Sequence, residues 1–191
     1  MSVLPRETEN TSTEWETWLA LPETTRAEFI KGKIYYMASP SRVHQRFVVE
    51  LSSLILQHIK SKGGPCQVYP GPFSVRLSKE KDNYLEPDIS VICDTDKLTD
   101  AGCTGAPDWI IEVASPGDPA HDYVRKLGLY QEAGVREYWI VNPMERNVVV
   151  YRMDADLFRL DSYTFRDNIP TMILDGLAVD FATLDDEIMN G

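Results

Sequence analysis

A single carboxylate interrupts the most apolar segment of the chain, and this segment most limits how the chain can fold. Residues 108–114 read Asp-Trp-Ile-Ile-Glu-Val-Ala, so Glu112 is the one polar side chain after Asp108. A continuous apolar run of this kind predicts a β-strand covered on both faces. Because side chains alternate along a strand, Ile110, Glu112 and Ala114 should point to one face. An unpaired buried carboxylate is costly, so Glu112 is expected to meet a metal, a cation or a hydrogen-bonding partner.

Asp88 poses the same problem at the start of another predicted strand, residues 89–93. If the two strands are neighbours, the carboxylates of Asp88 and Glu112 can converge on one side of the sheet. Two hard oxygen ligands suit Mg²⁺ or Mn²⁺, which proteins hold with one or two carboxylates, waters and the substrate's phosphate. For either carboxylate taken alone, the alternative is that it caps a turn or pairs with an arginine.

Lys126 lies on the helix predicted to follow Glu112. Asp122, Lys126 and Tyr130 are spaced by four residues and so share one face of that helix. If this face packs beside the carboxylates, the ammonium could orient an attacking water or stabilise negative charge developing on a phosphate. The alternative is an exposed Asp122–Lys126 pair, which would stabilise the helix by roughly a few tenths of a kcal/mol.

Two further residues are candidates for supporting roles. Glu28 lies in an early predicted hairpin and could supply a third acid, although acids on strands usually face water. His44, in the first turn of the clearest predicted helix, could touch a phosphate or the metal's ligands. The alternative for His44 is an ordinary polar residue at the start of a helix.

The hydrophobic patterns predict a mixed α/β chain with one central sheet. Apolar residues at three- and four-residue spacing predict a long helix that Ser41 caps and Gly63-Gly64-Pro65 ends. Asp118-Pro119 and Gly134 are typical of the start and end of a second helix. Between and around them the sequence predicts hairpins at 26–37 and 147–165, strands at 66–77, 89–93, 108–114 and 137–141, a loose acidic tail at 1–13, and a weakly structured C-terminal segment with a turn at Asp175-Gly176.

The length and composition favour one soluble domain spanning residues 1–191, with its core at about 41–142. The chain has 191 residues, and no apolar run approaches the roughly 20 residues that a membrane-spanning helix needs. Cys66, Cys93 and Cys103 form no CxxC pair and have no histidine at zinc-ligand spacing. They are expected to be ordinary reduced thiols, which suits a cytoplasmic location.

The charge is distributed unevenly. The net charge of −11 argues against a protein that binds nucleic acid over its whole surface. Residues 41–81, however, hold seven basic side chains against two acidic ones, and this asymmetry could steer a polyanion to one face. The alternative is solvated surface charge. The candidates for contacting DNA in this region are Arg42, Arg46, Lys60, Lys62 and Arg76.

These motifs resemble the PD-(D/E)XK nuclease superfamily, whose core order is helix, three strands, helix, strand (αβββαβ). The segment from Ser41 to Asn142 matches that order. More narrowly, the chain is similar to the Uma-type restriction-endonuclease family of bacteria. The pieces that carry this similarity are Glu28-Phe29-Ile30-Lys31-Gly32-Lys33, Met37-Ala38-Ser39-Pro40 with His44, Glu86-Pro87-Asp88-Ile89, Ile111-Glu112-Val113-Ala114-Ser115-Pro116 and Gly134-Val135-Arg136-Glu137-Tyr138-Trp139.

The resemblance implies a fold and a set of roles. The fold would be a restriction-endonuclease-like α/β core, a central mixed sheet flanked by helices, with an N-terminal hairpin and C-terminal β additions. Asp88 and Glu112 would be metal ligands, the Val113 carbonyl would complete the metal shell, and Lys126 would be the catalytic lysine. In the usual pattern the lysine lies two residues after the acid, where this chain has Ala114. The lysine would therefore have moved to the following helix, as in some members of the superfamily.

The function implied is a Mg²⁺- or Mn²⁺-dependent DNA endonuclease, working as a homodimer if two chains are needed to cut both strands. Two alternatives stay open on the sequence. One is a catalytically inactive nucleic-acid-binding or regulatory module on the same fold. The other is a metal-dependent hydrolase of RNA or another phosphoester.

Overall fold

The computed structural model describes residues 13–22, 24–78, 83–115, 120–154 and 157–190, without the side chains of residues 120–123, 154 and 157. The expected tail at 1–13, apart from Thr13, lies outside these ranges. The expected helix start at Asp118-Pro119 and the basic residues Lys79 and Lys81 also lie outside them.

The chain forms four helices and fourteen strands within these ranges. The helices are α1 (Thr13–Leu19), α2 (Arg42–Lys62), α3 (Ala120–Ala133) and α4 (Phe181–Asn190). The strands are β1 (Ala27–Ile30), β2 (Lys33–Tyr36), β3 (Gln67–Pro70), β4 (Val75–Arg76), β5 (Tyr84–Leu85), β6 (Ile89–Ile92), β7 (Leu98–Thr99), β8 (Gly102–Thr104), β9 (Trp109–Val113), β10 (Glu137–Asn142), β11 (Asn147–Asp154), β12 (Leu157–Thr164), β13 (Asn168–Pro170) and β14 (Ala178–Asp180).

The strands form two six-stranded sheets and a two-stranded ribbon. The central sheet has the order β12-β11-β10-β9-β6-β3, in which only β9 and β10 are parallel. The N-terminal sheet has the order β2-β1-β5-β4-β8-β7, and β13 pairs with β14. The predicted αβββαβ order is present as α2, β3, β6, β9, α3 and β10, so the expected restriction-endonuclease-like mixed α/β fold is confirmed.

The central sheet was expected, but a second six-stranded sheet was not. The predicted N-terminal hairpin is real, but it belongs to a second sheet that also uses β7 and β8. The sequence predicted only a polar loop there. These strands have two and three residues, which is too short for an alternating pattern to appear. They pair with each other, and β8 joins the sheet by pairing with the distant β4.

Helix α2 follows from its sequence pattern. Ser41 accepts a hydrogen bond from the His44 backbone N–H at 3.2 Å and caps the helix. At the other end Gly63 has a φ of 73°, and its N–H donates to the Ile59 carbonyl at 2.9 Å. The apolar face of α2 packs on one face of the central sheet, where each large side chain contributes roughly 1.5–3 kcal/mol by burial. The fully buried residues on this face are Phe47, Leu51 and Ile55.

The central sheet separates two hydrophobic cores, and β9 contributes to both. Trp109, Ile111 and Val113 face the core that α2 and α4 cover. Ile110 faces the second core, between the central sheet, α3 and the N-terminal sheet. The predicted alternation along this strand is therefore confirmed, and Glu112 lies on the same side as Ile110.

The C-terminal segment was expected to be weakly structured, and this prediction was wrong. Helix α4 buries Phe181, Leu184 and Ile188 against α2 and the central sheet. Arg146 pairs with the buried Asp185 of this helix. Four acids within residues 180–187 obscured the i, i+3, i+7 apolar spacing. The predicted turn at Asp175-Gly176 is present, with a Gly176 φ of 76°.

The prediction of three reduced thiols was also wrong. Cys66 and Cys93 form a disulfide, while Cys103 is a buried free thiol. Strands β3 and β6 are antiparallel with Gln67 opposite Ile92, so the two cysteines that flank this pair lie opposite each other. Their separation of 27 residues in the chain hid the pairing. Within the described ranges, no helix is long and apolar enough to cross a membrane.

A fully buried carboxylate joins the central sheet to the C-terminal segment. Glu137 accepts hydrogen bonds from Trp139 Nε1 at 2.6 Å, Thr171 Oγ1 at 3.0 Å and the Met172 N–H at 2.7 Å. Burial raises the pKa of Glu137, and these hydrogen bonds work in the opposite direction. This cluster is structural and lies apart from the candidate site described next.

Candidate active site

The sheet register brings Asp88 and Glu112 together. Strands β6 and β9 are antiparallel neighbours with Ile89 opposite Ile111. The next pair outward is Asp88 and Glu112, and residues opposite each other in an antiparallel pair lie on the same face. The expectation that the two strands are neighbours is confirmed, and Asp88 is close enough to Glu112 for its charge to raise the pKa of Glu112.

Two groups hold Asp88 in place through one oxygen. Asp88 Oδ2 accepts a hydrogen bond from the Val113 N–H at 2.8 Å and lies 3.0 Å from His44 Nε2. The imidazole is buried, with 8% of its side chain exposed, and the Ser41 cap fixes the turn of α2 that carries it. His44 is therefore more than a polar residue at a helix start, because it contacts the carboxylate of Asp88 directly.

Helix α3 supplies two donors to Glu112. Lys126 Nζ and Tyr130 Oη each lie 3.0 Å from Glu112 Oε1. Lys126 and Tyr130 are four residues apart and lie on one face of the helix, as the sequence predicted, and both are buried. Asp122 belongs to the same helix, but its side chain lies outside the described residues.

Glu28 completes this cluster from the N-terminal sheet. Its Oε1 accepts from Lys126 Nζ at 2.9 Å and from the Glu86 backbone N–H at 3.1 Å. The Glu28 side chain is 4% exposed, so it is not the surface carboxylate that most acids on strands would be. Lys126 bridges two buried carboxylates that come from different sheets.

Negative charge exceeds positive charge in this cluster. Burial raises the pKa of Glu112 from its ordinary 4.5 to about 8; Lys126 lowers it, whereas Asp88 and Glu28 raise it. Burial also raises the pKa of Tyr130 well above its ordinary value, and the neighbouring Glu112 adds to this. Tyr130 is therefore a hydrogen-bond donor to Glu112 at neutral pH. The single ammonium does not offset the carboxylates around it.

Sequence reasoning missed Glu86, a further acid at the edge of the cluster. Its carboxylate lies 3.5 Å from Arg26 Nε. Burial raises the pKa of Glu86, Arg26 lowers it, and Glu28 raises it. The Glu86-Pro87-Asp88 motif contains this residue, but the sequence alone does not show that its side chain faces the cluster.

The donor set fits a hard divalent cation with few protein ligands. Among the described residues, no group of three or more His, Cys, Asp or Glu side chains is arranged to hold a metal. Asp88 Oδ2 and Glu112 Oε1 have partners, whereas no hydrogen bond among the described residues uses Asp88 Oδ1 or Glu112 Oε2. Mg²⁺ typically takes one or two carboxylates and completes its shell with waters and substrate phosphate. Two carboxylates with excess negative charge match that chemistry.

The basic residues expected to face DNA do not form one patch. Arg42 is exposed in the first turn of α2, close in sequence to His44. Lys60 and Lys62 lie at the other end, about 24 Å or more from His44 along the helix axis at about 1.5 Å per residue.

Two of the expected DNA-facing arginines already contact other groups. Arg46 pairs with Glu50 at 3.2 Å and donates to the Glu187 carbonyl at 3.4 Å. Arg76 lies over the Tyr84 ring, 5.5 Å from its centroid. These contacts leave Arg42 as the basic candidate nearest to the Asp88 end of the site.

Known proteins resemble this chain at the level of sequence and of fold. Two uncharacterised proteins of Synechocystis are 28% identical over 130 residues, covering 68% of this chain and 67% of the relative, and 27% identical over 136 residues, covering 70% and 75%. A crystal structure from Anabaena variabilis, described as "a putative nuclease belonging to DUF820", superposes with a TM-score of 0.77 at 22% identity. The match covers 93% of this chain and 100% of that one, and it shows the fold.

The motif pieces, the αβββαβ core and the paired carboxylates are consistent with one family assignment. The Uma2 family model, described as "Putative restriction endonuclease", matches residues 15–183. This range includes Glu28, His44, Asp88, Glu112 and Lys126. The chain belongs to the Uma2 family of restriction-endonuclease-like proteins.

Proposed function

We propose that the protein is a divalent-metal-dependent endonuclease that hydrolyses DNA phosphodiester bonds. The observation that carries the proposal is that β6, which begins directly after Asp88, pairs with β9, which carries Glu112, while Lys126 Nζ lies 3.0 Å from Glu112 Oε1. Membership of a nuclease-like family supports the reaction class, and the geometry supplies the residues.

Asp88, Glu112 and the Val113 carbonyl would hold Mg²⁺ or Mn²⁺. Such an ion polarises a phosphoryl oxygen and lowers the pKa of a bound water, which makes the water a nucleophile near neutral pH. Burial raises the pKa of Glu112, and the charges of Asp88 and Glu28 add to this; a bound cation would favour the ionised carboxylate and so supports this assignment.

The remaining residues would orient the ligands and stabilise charge. The Val113 N–H and His44 contact Asp88 through Oδ2 and would hold its carboxylate in place for the metal. Tyr130 and Lys126 fix Glu112 through Oε1 in the same way. Glu28 holds the Lys126 ammonium beside the site, where its charge would stabilise negative charge that develops on the phosphate during bond cleavage.

The proposal also includes how DNA would bind, the oligomeric state and the cellular location. Duplex DNA would approach the Arg42 end of α2, where basic side chains contact the phosphate backbone. A homodimer would supply a second site for the second strand. The Cys66–Cys93 disulfide means that reduced thiols no longer support a cytoplasmic location. We keep this location in the proposal only because the proposed substrate is DNA.

The direct test is cleavage of a panel of DNA substrates by the purified chain with Mg²⁺ or Mn²⁺. We expect cleavage by the wild type, loss of at least a hundredfold in Asp88→Ala, and none without divalent metal. Asp186→Ala, which removes an exposed carboxylate of α4, should cleave like the wild type. No cleavage of any DNA by the wild type, or undiminished cleavage by Asp88→Ala, would overturn the proposal.

One observation favours a second candidate, a nucleic-acid-binding module without catalysis. Ala114 occupies the place of the usual lysine, and the whole chain carries a net charge of −11. For such a module, DNA binding should weaken steeply with salt, need no metal and lead to no cleavage. Adding RNA and small phosphoesters to the cleavage panel separates the remaining alternative, a hydrolase of another phosphoester.

A further inference from the structure

The outer edge of the central sheet is open along β12. This strand, Leu157–Thr164, pairs with β11 on one side, and no strand among the described residues pairs with its other side. An unpaired edge exposes a row of backbone N–H and C=O groups that can pair with another strand. The eight residues of β12 include neither proline nor lysine, the residues that commonly protect such edges.

Two large apolar side chains are exposed on this edge. Phe158 is 55% exposed and Leu160 is 56% exposed. They lie opposite Met153 and Tyr151 of β11, so they extend the apolar face of the sheet that the second core occupies. Large exposed apolar side chains on an open edge strand are typical of a strand that pairs with a partner.

The hydrogen-bond pattern shows which residues can pair outward. The Phe165 N–H donates to the Arg146 carbonyl at 3.0 Å, one position beyond the Asn147–Thr164 pair. Hydrogen-bonded pairs alternate in an antiparallel ladder, so odd-numbered residues of β12 bond to β11. The even-numbered residues therefore direct their backbone groups to the open edge, and these are Phe158, Leu160, Ser162 and Thr164.

Charge favours antiparallel pairing with a second copy of the same strand in a register centred on Leu160. Arg159 and Asp161 lie on the opposite face from Leu160 and carry the charges of β12. Antiparallel pairing centred on Leu160 places Arg159 opposite Asp161 of the second copy, twice by symmetry. Shifting the centre to position 159 or 161 places Arg opposite Arg or Asp opposite Asp, which is destabilising.

The complementary register also places opposite charges next to each other across the edge. Arg152 of β11 lies directly opposite Arg159, and both arginines contact the single carboxylate of Asp161. Arg159 is largely exposed at the edge, with 62% of its side chain accessible. Asp161 of a second copy would lie opposite this exposed guanidinium.

We propose that β12 is a homodimer interface, in which two copies join edge to edge in antiparallel register centred on Leu160. Leu160 then pairs with Leu160 of the second copy, Phe158 with Ser162, and Arg159 with Asp161. The two central sheets become one continuous twelve-stranded sheet with a two-fold axis perpendicular to it. The interface deepens the homodimer part of the proposed function and does not involve the candidate active site, which each chain contains whole.

Cysteine cross-linking tests the register. In the proposed pairing the Cα atoms of residue 160 in the two copies lie about 5.5 Å apart, within the range of a disulfide. We expect Leu160→Cys to form a covalent dimer under mild oxidation. Phe158→Cys is the matched control, because the two copies of residue 158 are displaced by four residues, about 14 Å at roughly 3.4 Å each. Mixing Phe158→Cys with Ser162→Cys should restore cross-linking.

Sedimentation velocity over a range of concentrations tests whether the dimer forms, and it is run without DNA and without divalent metal. We expect a wild-type dimer, and a dissociation constant raised at least tenfold by Leu160→Lys and by Arg159→Asp. Val124→Lys, at a residue of α3 that is 65% exposed, should leave it unchanged. A wild type that is monomeric throughout, or Phe158→Cys that cross-links as readily as Leu160→Cys, would overturn the proposal. An inactive but dimeric protein would instead count against the nuclease chemistry alone.

Discussion

Lys126 Nζ lies 3.0 Å from Glu112 Oε1, inside the protein and between two sheets. The same ammonium lies 2.9 Å from Glu28 Oε1. A cation that bridges two buried carboxylates stabilises both, and removing it would leave them without a charged partner. The position of Lys126 therefore has consequences for stability as well as for catalysis.

Replacing Lys126 by methionine should destabilise the metal-free protein by about 3–5 kcal/mol, because it leaves buried carboxylates uncompensated. Urea unfolding near neutral pH measures this difference. Lys60→Met is the matched control, since Lys60 is exposed at the far end of α2 and should change stability by less than about 0.5 kcal/mol. Equal effects of the two substitutions would contradict the buried bridge.

The stability of the metal-free protein should depend on the ionisation of Glu112. Its pKa in the folded protein is about 8, above its ordinary 4.5, so the folded state holds this proton more tightly. The contribution is fully present below pH 4.5 and is lost as the pH rises through 8. Relative to Glu112→Gln, the wild type should therefore lose stability across this range. Chemical denaturation of both proteins at several pH values checks the trend, and a constant difference would argue against it.

His44 should act as a positioning residue for Asp88. Groups that hold a metal ligand in place typically contribute about 10- to 100-fold to metal affinity, so His44→Ala should weaken Mn²⁺ binding by that factor. Calorimetric titration with Mn²⁺ alone measures it without any assay of activity. His44→Gln, which keeps a donor, should restore part of the affinity. His58→Ala is the control, because His58 contacts the Asp175 carbonyl instead. Unchanged binding in His44→Ala would exclude the role.

Glu137 should contribute to folding and not to metal binding. Its removal in Glu137→Ala leaves three donors unsatisfied, of which those of Trp139 and Thr171 are buried. Each such loss costs about 1–3 kcal/mol, so the melting temperature should fall substantially. Mn²⁺ affinity, measured below that temperature, should match the wild type. Loss of metal binding in a folded Glu137→Ala protein would show that this cluster and the candidate site are coupled.

The fold was predictable where the sequence pattern was long and regular. Helix α2 and strand β9 have continuous patterns, and their faces are the ones expected. The strands β7 and β8 could not be predicted, because two or three residues show no repeating pattern and β8 joins its sheet by pairing with the distant β4. Helix α4 was missed for a different reason, since its acids outweighed its apolar spacing.

The candidate site was also predictable only in part from the sequence. Asp88 and Glu112 could be found because a carboxylate in a buried strand is costly and must have a partner. Their shared position depended on the antiparallel register of β6 and β9, which the sequence does not encode locally. The bridge from Glu28 to Lys126 spans 98 residues and two sheets, so sequence patterns could suggest the two residues but not their contact.

The central claim is that Asp88 and Glu112 together bind a divalent cation, and crystals soaked in Mn²⁺ test it most directly. Anomalous diffraction should show one Mn²⁺ bound by both carboxylates in the wild type and no such ion in Asp88→Ala. If the wild type shows no Mn²⁺ at these residues, or if the ion stays there without Asp88, the metal site does not exist as described.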